Sequence, residues 1–392
     1  MILKNLAQWA MDRFLALVTD IEEGKILLCY TTYSGSNTIA LYKLAPESVQ
    51  KHYRLVLHKI WGGDLENLSF LQRLKYYAKM RTMVFSSQCV VTTHGPFRFL
   101  KKKGSVAVEA WHGFPLKAMG FMEVNPKGRV YAHWAKCVDF ILSYSTFYST
   151  LMNACIGCRT KQYVVTGMPR NDFLFKSRGK ELLEKLARRD LKDCKIAFYL
   201  PTFREHKVSN DVDVEGEKLS QNIFRLQDFS WKALVDFLEK HRIQLVFKPH
   251  PFEAQILKNL PIPSQILLLT EEMLEEEKID LYELLNSADV LITDYSSVYF
   301  DYLLLDRPII FIPTDLTLYK KRRGLLLEPY DFWTPGPKVY SYQDLEKEIL
   351  EVLDGRDNYK DQRKIVRNIV HLYQDGQSTE RVWSFLTEIL EK

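Results

Sequence analysis

Trp111-His112-Gly113-Phe114-Pro115-Leu116-Lys117 is the first block of this sequence with residues suited to chemistry. It follows the strand-like run 106–110, so His112 falls at the carboxyl end of a strand, where open α/β sheets bind ligands. An imidazole there can accept a proton near neutral pH; it can equally satisfy a loop. Gly113 lets the backbone approach a ligand, Pro115 stiffens the exit, and Lys117 adds positive charge.

Lys248-Pro249-His250-Pro251 ends a second apolar run, 245–247. Two prolines fix the backbone around one Lys and one His, which aims donors at an anion or serves structure alone. Thr293-Asp294-Tyr295-Ser296-Ser297 follows the run 290–292. Ser297 reads as the start of a helix with Asp301 in its first turn. Free N–H groups and two hydroxyls there offer a phosphate cradle, with simple capping as the alternative.

Other strand exits add cations. Tyr199-Leu200-Pro201-Thr202-Phe203-Arg204 supplies Arg204, and Thr166-Gly167-Met168-Pro169-Arg170-Asn171-Asp172 supplies Arg170. Arg322 and Arg323 precede Gly324, and Asp375-Gly376-Gln377-Ser378-Thr379-Glu380-Arg381 turns into the last helix. Basic residues are usually solvated, but His, Lys, Arg and Ser at successive loops of one edge suit a pyrophosphate-bearing ligand.

The sequence has no G-x-G-x-x-G or Walker A pattern, which disfavours a dinucleotide dehydrogenase or P-loop NTPase. Asp211-Val212-Asp213 has the form of a D-x-D metal motif but lies in a polar stretch, 208–220, and reads as a mobile loop. No metal site is expected. Cys155-x-x-Cys158 has no second pair and reads as ordinary buried thiols.

These blocks need elements to position them. Strand-like runs at 25–30, 54–58, 83–86, 106–110, 140–143 and 163–166 alternate with helical stretches such as 68–79. A charged helical stretch at 176–189 precedes a second series of strands at 196–200, 244–248, 266–269, 290–293 and 308–313. Helices are expected between them at 230–241, 280–288 and 297–305, and at the end at 343–353 and 359–372. The pattern predicts two Rossmann-like α/β domains with parallel sheets facing a central cleft, residues 1–175 and 176–392, the final helix being free to pack back on the first.

The 392 residues carry 54 basic and 49 acidic side chains, unevenly divided. Residues 1–175 hold 22 basic and 11 acidic, whereas 176–392 hold 32 and 38. The front half therefore seeks anions. Leu3, Leu6, Ala10, Phe14 and Leu17 share one face of an opening helix, expected to pack on its own domain rather than anchor in a membrane. Residues 68–81 form a basic amphipathic stretch in which Arg73, Lys75, Lys79 and Arg81 accompany Phe70, Leu71, Leu74 and Tyr77, and Lys101-Lys102-Lys103 follow. Such segments lie on anionic lipid or form a solvated face. No run approaches the ~18 apolar residues of a spanning helix, and the N-terminus lacks a signal-peptide pattern. A cytosolic or membrane-surface protein is expected, without nucleic acid as a partner.

Taken in order, WHGFPLK, TGMPRND, YLPTFR, KPHP, LITDYSSVYFDYLLLDRPIIF, RRG and DG-x-x-x-x-R resemble the CDP-glycerol glycerophosphotransferase family of teichoic acid primases and polymerases. The likeness runs from about residue 80 to 381, with a looser one around Ser36-Asn37 and Ala40-Leu41-Tyr42. It implies a GT-B fold and no resident cofactor. It implies transfer of glycerol phosphate from CDP-glycerol to a hydroxyl of a lipid-linked precursor, with release of CMP. The acceptor would be a polyprenyl-diphosphate-linked glycan or a polyol phosphate. The enzyme would sit peripherally on the cytoplasmic face of an anionic membrane. CDP-ribitol as donor, or a GT-B sugar-nucleotide transferase, are the alternatives. By resemblance His112 is the base, and His250 with Ser296 and Ser297 holds the donor pyrophosphate. Arg204, Lys248 and Arg381 are its phosphate or nucleotide neighbours. Phe114 stands where many members carry Thr, which bears on the acceptor.

Overall fold

A computed structural model describes residues 2–31, 35–60, 68–94, 102–123, 134–202, 205–208, 211–214, 222–249 and 262–392. The chain divides into two compact units. One holds Met1–His112, Lys127–Phe173 and His371–Lys392; the other holds Gly113–Pro126 and Leu174–Val370.

The first unit is built on a parallel sheet in the order β2-β1-β3-β4-β5-β6. Its strands are β1 Glu22–Tyr30, β2 Arg54–Lys59, β3 Ser87–Thr92, β4 Val106–Glu109, β5 Phe140–Ser143 and β6 Tyr163–Val165. Ile26, Leu27, Leu28 and Cys29 are all fully buried. Such a continuous apolar run marks a strand covered on both faces, as parallel sheets require. Leu27, Cys29 and Val90 pack with Met80 of the helix Phe70–Phe85.

The sequence reading placed a strand at 83–86, but this segment ends that helix. Ser69 and Gln72 form a capping box that starts the helix, which continues to Phe85; the strand begins at Ser87. An apolar helix turn running straight into a buried strand leaves no change of period to mark the boundary. Arg81, read as part of the basic surface, is buried against Asp12 of the opening helix Ile2–Val18, with Nε 3.2 Å from Oδ1. Phe14, Leu17, Val18, Phe70, Leu71 and Leu74 of these two helices are exposed.

The last helix, Ser378–Leu390, packs within the first unit. Asp172 accepts hydrogen bonds from the backbone N–H groups of Ser378 (2.9 Å) and Thr379 (2.7 Å), and Trp383 Nε1 donates to the Leu41 carbonyl. Gly167, at φ +75°, leaves room there: a Cβ would lie 2.4 Å from Ser378 Oγ. Cys155 and Cys158 are buried and joined in no disulfide, and burial pushes the Cys158 thiol up to about 11.

The second unit carries a parallel sheet in the order β11-β10-β7-β12-β13. Its strands are β7 Lys195–Tyr199, β10 Ile243–Phe247, β11 Ile266–Leu268, β12 Val290–Thr293 and β13 Ile309–Phe311. Tyr199, Phe224, Phe247, Ile292 and Ile310 share one core with Leu234 and Phe237 of the helix Trp231–Lys240. The stretch 208–220, read as a mobile loop, holds β9 Asp211–Val214, which pairs antiparallel with β8 Glu205–Val208. Alternating Asp and Val in β9 is a strand period that its polarity concealed.

Candidate active site

Parallel strands bring all their carboxyl ends to one edge, so sheet order decides which motifs meet. In the second unit β7 lies between β10 and β12, and the direction of winding reverses between β7 and β12. The crevice at such a switch point is the usual ligand position in open α/β sheets. The β7 exit holds Leu200 to Thr202, the β12 exit Asp294 to Ser297, and the β10 exit Lys248. Sequence order separates these blocks widely, and the sheet makes them neighbours.

Thr293 and Asp294, read as ligand groups, instead stitch these exits together. Thr293 is fully buried and its hydroxyl donates to the Leu200 carbonyl at 2.7 Å. Asp294 is 2% exposed, and its carboxylate accepts from the backbone N–H of Thr202 at 2.8 Å and of Tyr295. Tyr295, stacked on Tyr319, donates to Asp315 at 3.0 Å and braces the turn from below. Ser296 and Ser297 are partly exposed at the start of the short helix Val298–Tyr302, and Ser297 spends no side-chain bond on capping it. Lys248 is engaged by Glu271. Its charge is thus partly offset. His250 and Arg204 lie outside the described residues.

Gly113 and Lys117, expected in the first domain, belong to the second unit. The reason is backbone pairing: Leu326 N–H donates to the Leu116 carbonyl at 2.8 Å and Ala118 N–H to Gly324 at 3.1 Å. Phe114 is buried with its ring 4.6 Å from that of Phe300, so it packs in the unit's interior. Arg322 is exposed at the end of the helix Leu316–Arg322, and Arg323 lies 3.6 Å from Glu123.

In the first unit the winding reverses between β1 and β3, next to β4. His112 follows β4, and its Nδ1 lies 2.8 Å from the Thr93 carbonyl oxygen at the β3 exit. A carbonyl only accepts, so Nδ1 carries the hydrogen and the neutral ring keeps its lone pair on Nε2. That is the tautomer a general base requires. The Trp111 ring lies 4.1 Å from that of His112 between centroids, tilted by 31°, and the His94 ring lies at 5.1 Å. Burial holds the His94 imidazole below its usual range, which favours a neutral neighbour for His112.

Arg170 is 3% exposed and reaches inward. Its guanidinium donates to the His112 carbonyl (2.6 Å) and to Tyr144 Oη (3.0 Å), so in this structure it braces the residues around His112. Arg381 pairs with Asp375 and lies over the Tyr373 ring at 3.7 Å. That hydrogen bond is the main cause holding the Asp375 carboxyl below its ordinary value. His94 and Glu109 flank His112 without having stood out in the sequence, and Asn37 stood there only within the looser likeness around Ser36-Asn37.

Residues 24–388 match the family model for CDP-Glycerol:Poly(glycerophosphate) glycerophosphotransferase. The chain belongs to this family. It is 27% identical over 384 residues to a teichoic acid poly(glycerol phosphate) polymerase of Bacillus spizizenii, covering 86% of both chains. A poly(ribitol-phosphate) polymerase of the same organism is 26% identical over 332 residues, or 81% of this chain and 48% of the relative. The solved wall teichoic acid polymerase TagF superposes with a TM-score of 0.74 at 19% identity, over 99% of this chain and 96% of that one. The fold is thus α/β and GT-B-like, and the protein is an enzyme of the teichoic acid polyol-phosphate transferase family.

Proposed function

We propose that the protein transfers glycerol phosphate from CDP-glycerol to a hydroxyl of a membrane lipid-linked teichoic acid precursor and releases CMP. The observation that carries this reading is His112 at the β4 exit, held by Thr93 in the tautomer with a lone pair on Nε2. The acceptor hydroxyl gives its proton to Nε2 as its oxygen attacks the β-phosphorus. A new P–O bond forms there, and the bond to the bridging oxygen breaks with its electron pair leaving on CMP. Ser296, Ser297 and Lys248, with His250, hold the pyrophosphate, and Lys117, Arg322 and Arg323 supply further positive charge. Stabilising charge that develops on the transferred group is the larger part of such catalysis.

Glycerol is preferred to ribitol as the donor's polyol because the description of the matching family model names CDP-glycerol. The enzyme acts on the cytoplasmic face of the membrane as a peripheral protein. Among the described residues no helix is long and apolar enough to cross a membrane. Exposed Phe14, Leu17, Phe70, Leu71 and Leu74 near exposed Arg13, Arg73, Lys75 and Lys79 support contact with anionic lipid. Incubation with CDP-glycerol or CDP-ribitol and a lipid-linked acceptor, following CMP release and product mass, tests the donor. Release from CDP-glycerol with glycerophosphate added to the acceptor is expected; turnover of CDP-ribitol alone would transfer the enzyme to the ribitol branch.

A further inference from the structure

The backbone around His112 is held by side chains at every one of three consecutive carbonyls. Asn37 Nδ2 donates to the carbonyls of Ala110 and Trp111, both at 2.8 Å. Arg170 takes the third, that of His112 itself. Asn37 Oδ1 in turn accepts from the Arg170 backbone N–H at 3.1 Å, so the two residues also hold each other. On the other side the Trp111 N–H donates to Glu109 Oε1 at 2.9 Å, and Glu109 Oε2 accepts from the Thr92 hydroxyl at 2.6 Å. Asn37, Glu109 and Arg170 are 1%, 0% and 3% exposed.

This clamp surrounds a strained residue. Trp111 has φ +49°, a left-handed conformation that bulky side chains rarely adopt. Such a residue persists only where its surroundings over-determine it, and the strain is then often tied to function. Here Glu109 fixes its N–H and Asn37 its carbonyl, and the next residue is His112. The left-handed turn sets the direction in which the imidazole leaves the strand and brings Nδ1 to Thr93.

We propose that Asn37 and Arg170 are positioning residues that lock His112 as the Nδ1–H tautomer by clamping the left-handed turn at Trp111. The assignment rests on the reading of His112 as the base. Asn37 suits the task because one neutral amide supplies two donors and one acceptor. Aspartate has the same shape but turns oxygen toward two carbonyl oxygens. Lysine at 170 keeps the charge but lacks the planar fork that spans His112 O and Tyr144 Oη.

The test compares Asn37→Asp and Arg170→Lys with the full-length wild type. Two readouts are taken: CMP release against CDP-glycerol dissociation constant, and the His112 tautomer by ¹⁵N–¹H correlation at alkaline pH. Misplacement of a catalytic group costs on the order of 10²-fold in rate. A kcat loss of about 10–100-fold with the donor dissociation constant unchanged, together with appearance of Nε2–H at His112, is expected of whichever variant folds. A folded variant that keeps kcat within about twofold of wild type, or keeps His112 wholly as Nδ1–H, overturns the proposal. His112→Ala is assayed alongside. If that variant retains turnover, the base reading fails, while the tautomer measurement still decides the clamp.

Discussion

At the scale of single residues, burial sorts the charged groups that the sequence offered as ligands. His112, Ser296 and Ser297 stand where motif reasoning put them, at strand exits. Arg170, Thr293 and Asp294 were placed correctly along the chain, but their side chains turn inward. A motif records that a position matters; it does not say whether the group faces a ligand or braces one that does. Burial also gives His94 a testable signature. Its folded imidazole is held below the usual value of about 6.5. Below that value the unfolded chain binds a proton that the folded chain resists, so stability falls as pH drops through this window. Denaturant midpoints at pH 7.5 and 5.5 should therefore fall less for His94→Gln than for wild type, and equal losses would show that His94 does not contribute.

At the scale of elements, most strands were legible because parallel sheets bury both faces and leave apolar runs. Boundaries were legible only where the period changed. The helix Phe70–Phe85 hid its end in Met83, Val84 and Phe85, and β9 hid its period under two aspartates. The ion pair of Arg81 with Asp12, both at most 2% exposed, lay beyond pattern reasoning because it joins residues of two distant helices. Removing one partner of a buried pair costs about 3–5 kcal/mol, whereas replacing both with apolar groups is often neutral. Chemical denaturation should show a loss of that order for Arg81→Met and recovery of most of it in Asp12→Leu/Arg81→Met. Phe114 belongs at this scale as well. Its ring packs on Phe300, so Phe114→Ala should cost about 3–5 kcal/mol by cavity formation while leaving acceptor choice as it is. A change of acceptor with unchanged stability would return Phe114 to the substrate side.

At the scale of the whole molecule, the uneven charge acquires a direction. The basic excess of residues 1–175 accompanies two helices whose apolar side chains are exposed, the face that the proposed function sets against anionic lipid. Salt-sensitive co-sedimentation with anionic vesicles, reduced by Leu17→Glu/Leu71→Glu, is expected; binding unaffected by both salt and these substitutions would remove the membrane role of this face. On the proposed reading the donor binds within residues 176–392, which are net acidic, so recognition there would depend on positioned groups and not on overall charge. The central claim is that His112 takes the acceptor proton. Loss of a general base typically lowers rate by about 10²–10⁴-fold. The most direct measurement is CMP release by His112→Ala beside calorimetric binding of CDP-glycerol. A fall in rate of that size with donor affinity unchanged is predicted, and a parallel loss of affinity and rate, or turnover close to wild type, would contradict it.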